Sequence, residues 1–185
     1  FDKVAQMLGL QYPGGPKIEE LAKIGDENKY KFSKPLLGIK EHNCNFSFSG
    51  LKTAVRRLIE KLTGCEYDHF SSASKLSQQQ ITDVAASFQK IVGEILVDRL
   101  KNSLDLIAKM EIKIDNLVIA GGVAANQYLY HKISQFGQKY NLKTIAPPIK
   151  LCTDNAAMIA WVGVEKLKLK MVDELNFKPQ AKWEL

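Results

Sequence analysis

The sequence predicts an α/β fold built on a parallel sheet, and three observations carry that reading. Residues 116–168 run strand, helix, strand, helix, an order that places parallel strands beneath packed helices. Residues 78–110 hold the longest helical periodicity in the chain, so helix outweighs strand. Apolar residues make up 45% of the 185 and charged residues 25%, which supports one sizeable core and excludes a disordered chain. No apolar stretch approaches the roughly 18 uninterrupted residues that a membrane span needs.

The elements follow in order. Phe1, Val4, Ala5 and Leu8 recur at helical spacing, and Gly9 stops that helix. Gln11 to Pro16 forms a forced turn, with Pro16 in the first turn of a helix reaching about Ile24. Residues 26–45 are polar and aperiodic. Phe46-Ser47-Phe48-Ser49-Gly50 alternates and predicts a short strand edge with Ser49 capping the next helix. Leu51, Ala54, Val55, Leu58 and Leu62 mark that helix, and residues 63–75 form a second loop. Val84, Phe88, Ile91, Ile95, Leu104 and Ile107 supply the apolar stripe of the long helix. Residues 116–120 form a short strand ending at Gly121-Gly122, and a helix follows to about Tyr140. Leu142 to Ala146 is the second strand, closed by Pro147-Pro148. A last helix starts near Thr153-Asp154 and runs through Lys168.

Cysteine and histidine usage limits the chemistry. Cys44, Cys65 and Cys152 are odd in number and widely spaced, the pattern of a reduced chain without a disulfide framework. His42, His69 and His131 lie far apart, and none has the i, i+3 or i, i+4 partner that puts two ligands on one helix face. The formal charge of +6 permits a polyanionic partner without requiring one.

Ligands of parallel sheets bind at the carboxyl ends of the strands, and two candidate turns fall there. In Gly121-Gly122-Val123-Ala124-Ala125-Asn126, two glycines let a backbone approach a ligand, and Asn126 offers both donor and acceptor to a ribose or base. Tight helix–sheet packing without a ligand is the alternative. In Thr153-Asp154-Asn155, Thr153 or Asp154 caps the following helix, or Asp154 presents a carboxylate to a cation. Asp2 is either a solvated or capping acid or a partner for ribose hydroxyls. Glu19 has the same two readings, the first as a first-turn acid matching the helix dipole. The Phe46–Ala54 run is either a strand edge with a cap or, with Lys52, Arg56 and Arg57 nearby, a nucleic-acid surface.

Taken together, these segments resemble the TsaD family, the tRNA N6-adenosine threonylcarbamoyltransferases once labelled O-sialoglycoprotein endopeptidases. The matching pieces are Phe1-Asp2-Lys3, Tyr12 to Pro16, Phe46 to Val55, Ala85 to Gln89, Ala120 to Asn126 and Cys152 to Ala160. They stand in the family's order. The Phe-Ser-Phe-Ser-Gly-Leu-Lys-Thr-Ala-Val and Gly-Gly-Val-Ala-Ala-Asn runs are the most specific.

The resemblance implies the two-lobed actin-like (acetate kinase/Hsp70/actin, RNase H-like) superfold. It implies transfer of threonylcarbamoyl from threonylcarbamoyl-adenylate to N6 of the adenosine beside the tRNA anticodon, with release of AMP. On the matching positions Asp2, Gly15, Glu19, Gly121, Gly122 and Asn126 bind the nucleotide part of the substrate. Asp154 is a ligand to one divalent metal, usually iron. TsaB-like and TsaE-like accessory subunits, a cytoplasmic location and no membrane contact are further implications. Glu19 replaces an acid that is often Asp in the family. The family's His-x-x-x-His pair and Ser-Gly-Gly phosphate turn are not found in this sequence, so the chain reads as the C-terminal half of such a protein, expected to be inactive by itself. Within it, residues 16–75 read as a mainly helical and loop insertion and residues 78–170 as the core of the lobe, and residues 33–45 are assigned no function. Two other readings stay open: an ATPase or sugar-kinase-like enzyme of the same superfold, and a catalytically inactive binding module. The Phe-Ser-Phe-Ser-Gly run weighs against the first.

Overall fold

The computed structural model describes residues 1–36, 44–68, 71–176 and 178. His42 and His69 therefore lie outside the described residues. The element order is α1 (Asp2–Met7), α2 (Gly14–Ala22), α3 (Ser49–Thr63), α4 (Gln78–Lys109), β1 (Asn116–Val118), α5 (Gln127–Lys139), β2 (Lys143–Ile145) and α6 (Ala156–Lys168). Short 3-10 turns occupy Ala73–Lys75, Gly122–Ala125 and Ile149–Leu151.

The helical half forms around α4. Its start is a capping box: the Ser77 hydroxyl accepts from the Gln80 N–H at 3.1 Å, and the Gln80 side chain accepts from the Ser77 N–H at 2.8 Å. Val84, Phe88, Ile91 and Ile95 of α4 bury in one cluster with Val4 of α1 and its C-cap Leu8, Ile18 of α2, and Leu51, Val55 and Ile59 of α3. One apolar core thus joins residues on both sides of the 75–78 boundary. Farther along α4 the stripe loosens, and Leu104 and Ile107 are half-buried.

The segment after α2 is fastened to α4 by polar bonds. The Asp26 N–H donates to the Asp83 carboxylate at 2.8 Å, and the Tyr30 N–H donates to the Ser87 hydroxyl at 3.1 Å. Gly25 makes the close approach possible, since a Cβ there would stand 2.1 Å from the Thr82 carbonyl oxygen.

β1 and β2 pair in parallel, with Asn116 opposite Lys143 and Val118 opposite Ile145. This is the expected strand–helix–strand unit, with each strand only three residues long. The segments after both strands leave the sheet at the same end.

Three local expectations are corrected. Residues 46–50 form no strand: 46–48 are irregular, and Ser49 and Gly50 already belong to α3. A strand needs a neighbour for its N–H and C=O groups, and β1 and β2 are paired with each other. Ser49 consequently does not cap α3, because Phe48 holds the cap position and no side chain bonds there. The helix expected after Gly121-Gly122 is α5. A 3-10 turn intervenes and Asn126 caps α5. Neither Thr153 nor Asp154 caps α6; Asn155 does, accepting from the Met158 N–H at 3.2 Å.

Candidate functional site

Two points along α2 organise the candidate residues. At its start, the Asp2 carboxylate accepts a hydrogen bond from the Gly14 N–H at 2.9 Å. That bond satisfies one of the orphan donors of the first turn. It also ties α1 to α2 across the turn containing the cis Tyr12–Pro13 bond. Gly14 is a packing requirement, because a Cβ there would lie 2.3 Å from the Ala5 Cβ. Gly15 is not: its nearest neighbour would be the Phe1 Cβ at 4.0 Å. Space for a side chain therefore remains at Gly15 among the described residues.

Farther along α2, the Glu19 carboxylate accepts from the Gln127 N–H at 2.8 Å. Gln127 is the first residue of α5, so the charge sits at the positive end of that helix. Asn126 is the adjoining cap. Its side-chain oxygen accepts from the Leu129 N–H at 2.9 Å, and its amide nitrogen donates to the Gln89 side-chain oxygen at 2.8 Å. Asn126 is buried, and Gln89 is buried on α4. The structure thus gathers Glu19, Asn126 and the start of α5 into one polar junction of α2, α4 and α5.

Gly121 and Gly122 lie just upstream of that junction. Gly121 has φ +85°, which only glycine adopts without strain. A Cβ on either glycine would meet nothing within 4 Å among the described residues. Tight helix–sheet packing therefore does not account for the pair. What the glycines leave is exposed backbone at the carboxyl end of β1, where a ligand can approach.

Asp154 stands apart. It is exposed in the turn before α6, and no three His, Cys, Asp or Glu side chains converge on a common point among the described residues. A lone exposed carboxylate does not hold a divalent ion tightly, since such sites need several donors in fixed geometry. The described residues do not by themselves fit the metal that the resemblance implies. Cys152 is not a second donor: it is buried, with its sulfur 3.6 Å from the Pro147 carbonyl oxygen.

Gln89 is the residue with a place in this junction that sequence reasoning left without a role. Its signal was a polar side chain beside Phe88, on the face of α4 that is otherwise apolar. A buried amide there requires a polar partner, and Asn126 is that partner.

The family model described as tRNA N6-adenosine threonylcarbamoyltransferase matches residues 1–161. The chain belongs to the TsaD family. It is 48% identical over 185 residues to the tRNA N6-adenosine threonylcarbamoyltransferase of Wolbachia sp. subsp. Drosophila simulans (strain wRi), covering all of this chain and 50% of that relative. It is 49% identical over a 187-residue span to the protein of the same name from Rickettsia rickettsii (strain Sheila Smith), covering 51% of it. The chain therefore spans about half the length of the curated relatives it matches. Both TsaD runs picked out as most specific fall within the matched residues.

Proposed function

We propose that this chain supplies the C-terminal half of a tRNA N6-adenosine threonylcarbamoyltransferase with the two-lobed actin-like fold. The family match over residues 1–161 carries this reading. In it, the substrate is threonylcarbamoyl-adenylate and the acceptor is the adenosine beside the anticodon. The small parallel sheet with its bare Gly121-Gly122 turn is compatible with a nucleotide at the carboxyl end of β1.

The chemistry is acyl transfer. The exocyclic N6 amine attacks the carbamoyl carbon, a C–N bond forms, the C–O bond to the phosphate breaks, and the amine loses one proton as AMP leaves. An exocyclic adenine amine is a poor nucleophile, so the activated mixed anhydride supplies the driving force. The protein contributes positioning and charge stabilisation. Asp2 and Gly15 would border the nucleotide at the start of α2, and Gly121 and Gly122 would bring backbone against it. Glu19 and Asn126 would hold the junction that shapes its far wall. Asn126 reaches a ribose or base only through the amide hydrogen and lone pair that its two protein bonds leave over.

Asp154 would contribute one carboxylate toward a divalent metal, iron by the resemblance, together with donors that are not among the described residues. The TsaB-like and TsaE-like subunits and a cytoplasmic site of action belong to the same reading. No helix among the described residues is long and apolar enough to cross a membrane.

The test is nucleoside analysis by mass spectrometry after incubating the native protein and its accessory subunits with unmodified tRNA and threonylcarbamoyl-adenylate. Threonylcarbamoyladenosine is expected, and Asp154→Ala is expected to abolish it while the circular dichroism spectrum is kept. Consumption of the adenylate without tRNA modification, or full modification by the Asp154 variant, contradicts the reading at the substrate or at the metal respectively.

A further inference from the structure

The segment that fails to form a strand has a different structural consequence. Phe46 and Phe48 flank Ser47 in the irregular segment before α3, and their rings stack on each other. The rings lie 9° from parallel with centroids 6.0 Å apart, and they are 53% and 42% exposed. With Phe88 and Val123 they line an apolar groove of about 580 Å³. Val123 belongs to the 3-10 turn directly after Gly121, so the groove adjoins the candidate nucleotide turn. Lys3 and Lys52 also line it.

We infer that this groove takes the acceptor base: the purine ring of the tRNA adenosine stacks on the outer face of the Phe46–Phe48 pair, with Lys3 and Lys52 meeting the flanking phosphates. The inference rests on the proposed transferase reading and adds the base-binding residues to it. Two exposed, nearly parallel rings form a stacking platform, and base–aromatic stacking is the usual way a protein holds an unpaired nucleobase. The cations are where a nucleotide's charge would be, and the chain's +6 charge suits a polyanion. An apolar ligand without charge would leave both lysines without a role. The ring pair is too closely spaced to sandwich a base, because two stacking gaps need roughly 7 Å. The base therefore lies on the pair rather than between its members.

The native protein is tested with full-length tRNA carrying 2-aminopurine in place of the acceptor adenosine, a base whose fluorescence is quenched by stacking. Quenching is expected on binding. Phe48→Ala and Phe48→Leu are both expected to relieve it and to weaken binding about tenfold or more, while Phe48→Tyr retains it. Lys52→Ala is expected to lower the salt slope of tRNA binding by about one. The leucine variant separates two occupants, since leucine still packs against a covering protein segment but offers a base no ring. A leucine variant equal to wild type in quenching and binding, with the alanine variant lower in melting temperature, would show a protein seam and overturn the inference. So would unquenched 2-aminopurine in bound tRNA. If threonylcarbamoyladenosine nonetheless forms on unsubstituted tRNA, only the base groove falls. If quenching depends on Phe48 but no transfer occurs, the groove stands and the transferase reading falls.

Discussion

Asn126 uses both ends of its amide inside the protein, and this sets what can be asked of it. Replacing it with Ala removes the α5 cap, which costs about 0.5–2 kcal/mol. It also strands the buried Gln89 amide, which adds about 1–3 kcal/mol. We expect Asn126→Ala to lower the urea midpoint, a total loss of about 1.5–5 kcal/mol of stability. Asn126→Asp should cost less, because a carboxylate oxygen still caps Leu129 and Gln89 can turn its NH2 toward the acid. Equal losses in the two variants would show that the cap and the Gln89 bond do not act as the geometry suggests. Any effect of Asn126→Ala on tRNA modification must therefore be read against this loss of stability.

Tyr128 offers a second single-residue test. Its hydroxyl donates to Glu27 at 2.9 Å. Burial, chiefly, and then the bond to Glu27 raise its phenol pKa well above the ordinary value, with the charge of Glu94 adding to this. A folded pKa raised above the unfolded one means stability that is complete below about pH 10 and is lost as pH climbs from there toward the folded value. Tyr128→Phe should cost about 0.5–1.5 kcal/mol at neutral pH and flatten the fall in stability above about pH 10. Denaturation curves at neutral pH and at alkaline pH check this, and a Phe variant with the wild-type alkaline slope would contradict it.

At the scale of elements, α5 and β2 meet through a glycine. A Cβ on Gly137 would stand 2.5 Å from the Thr144 hydroxyl oxygen and 3.0 Å from the Leu142 carbonyl oxygen. Overpacking of this kind costs about 1–3 kcal/mol, so Gly137→Ala should destabilise by that amount. The Thr144 hydroxyl is buried with no hydrogen-bond partner among the described residues. Thr144→Ala removes the closest clashing atom, and the double variant should recover part of the loss, with a coupling of about 0.5–2 kcal/mol. Strict additivity in a thermal-melt cycle would remove the clash as the cause.

The same scale explains what was legible in the sequence. α4 and the β1–α5–β2 order were readable because Val84, Phe88, Ile91 and Ile95 repeat at helical spacing over a long window, and two short apolar runs end in Gly-Gly and Pro-Pro. The element ends were less so. Asn155 caps α6, yet Thr153 and Asp154 beside it could equally have capped by type. Residues 46–50 alternate like a strand, but pairing is a tertiary property that no local pattern contains. The glycine pair was recognisable as a turn, whereas its lack of packing contacts needed coordinates. The bond from Gln89 to Asn126 spans 37 residues and was likewise out of reach.

Across the whole molecule, the core and the exposed apolar surface are unevenly distributed. α1 to α4 enclose the apolar cluster, while α6 has no buried residue in its 13. Ile159, Trp161 and Leu167 of α6 are among the large apolar side chains left exposed, as are Val118 and Ile145 of the two strands. A helix that is apolar on most faces is ordinarily buried, and an exposed apolar patch of this extent marks an interaction surface or an aggregation liability. Among the described residues, the two-stranded sheet also leaves backbone edges unpaired. The 185-residue chain on its own should therefore self-associate through this apolar surface. Sedimentation velocity should show larger species as concentration rises, with binding of an apolar dye. Ile159→Lys with Trp161→Glu should shift the distribution toward monomer without lowering the melting temperature, because neither side chain is part of the core. A wild-type chain that stays monomeric and dye-free across the concentration range would show that α6 packs back onto the chain. An associated state that survives the double substitution would move the contact to the sheet edge at β1 and β2.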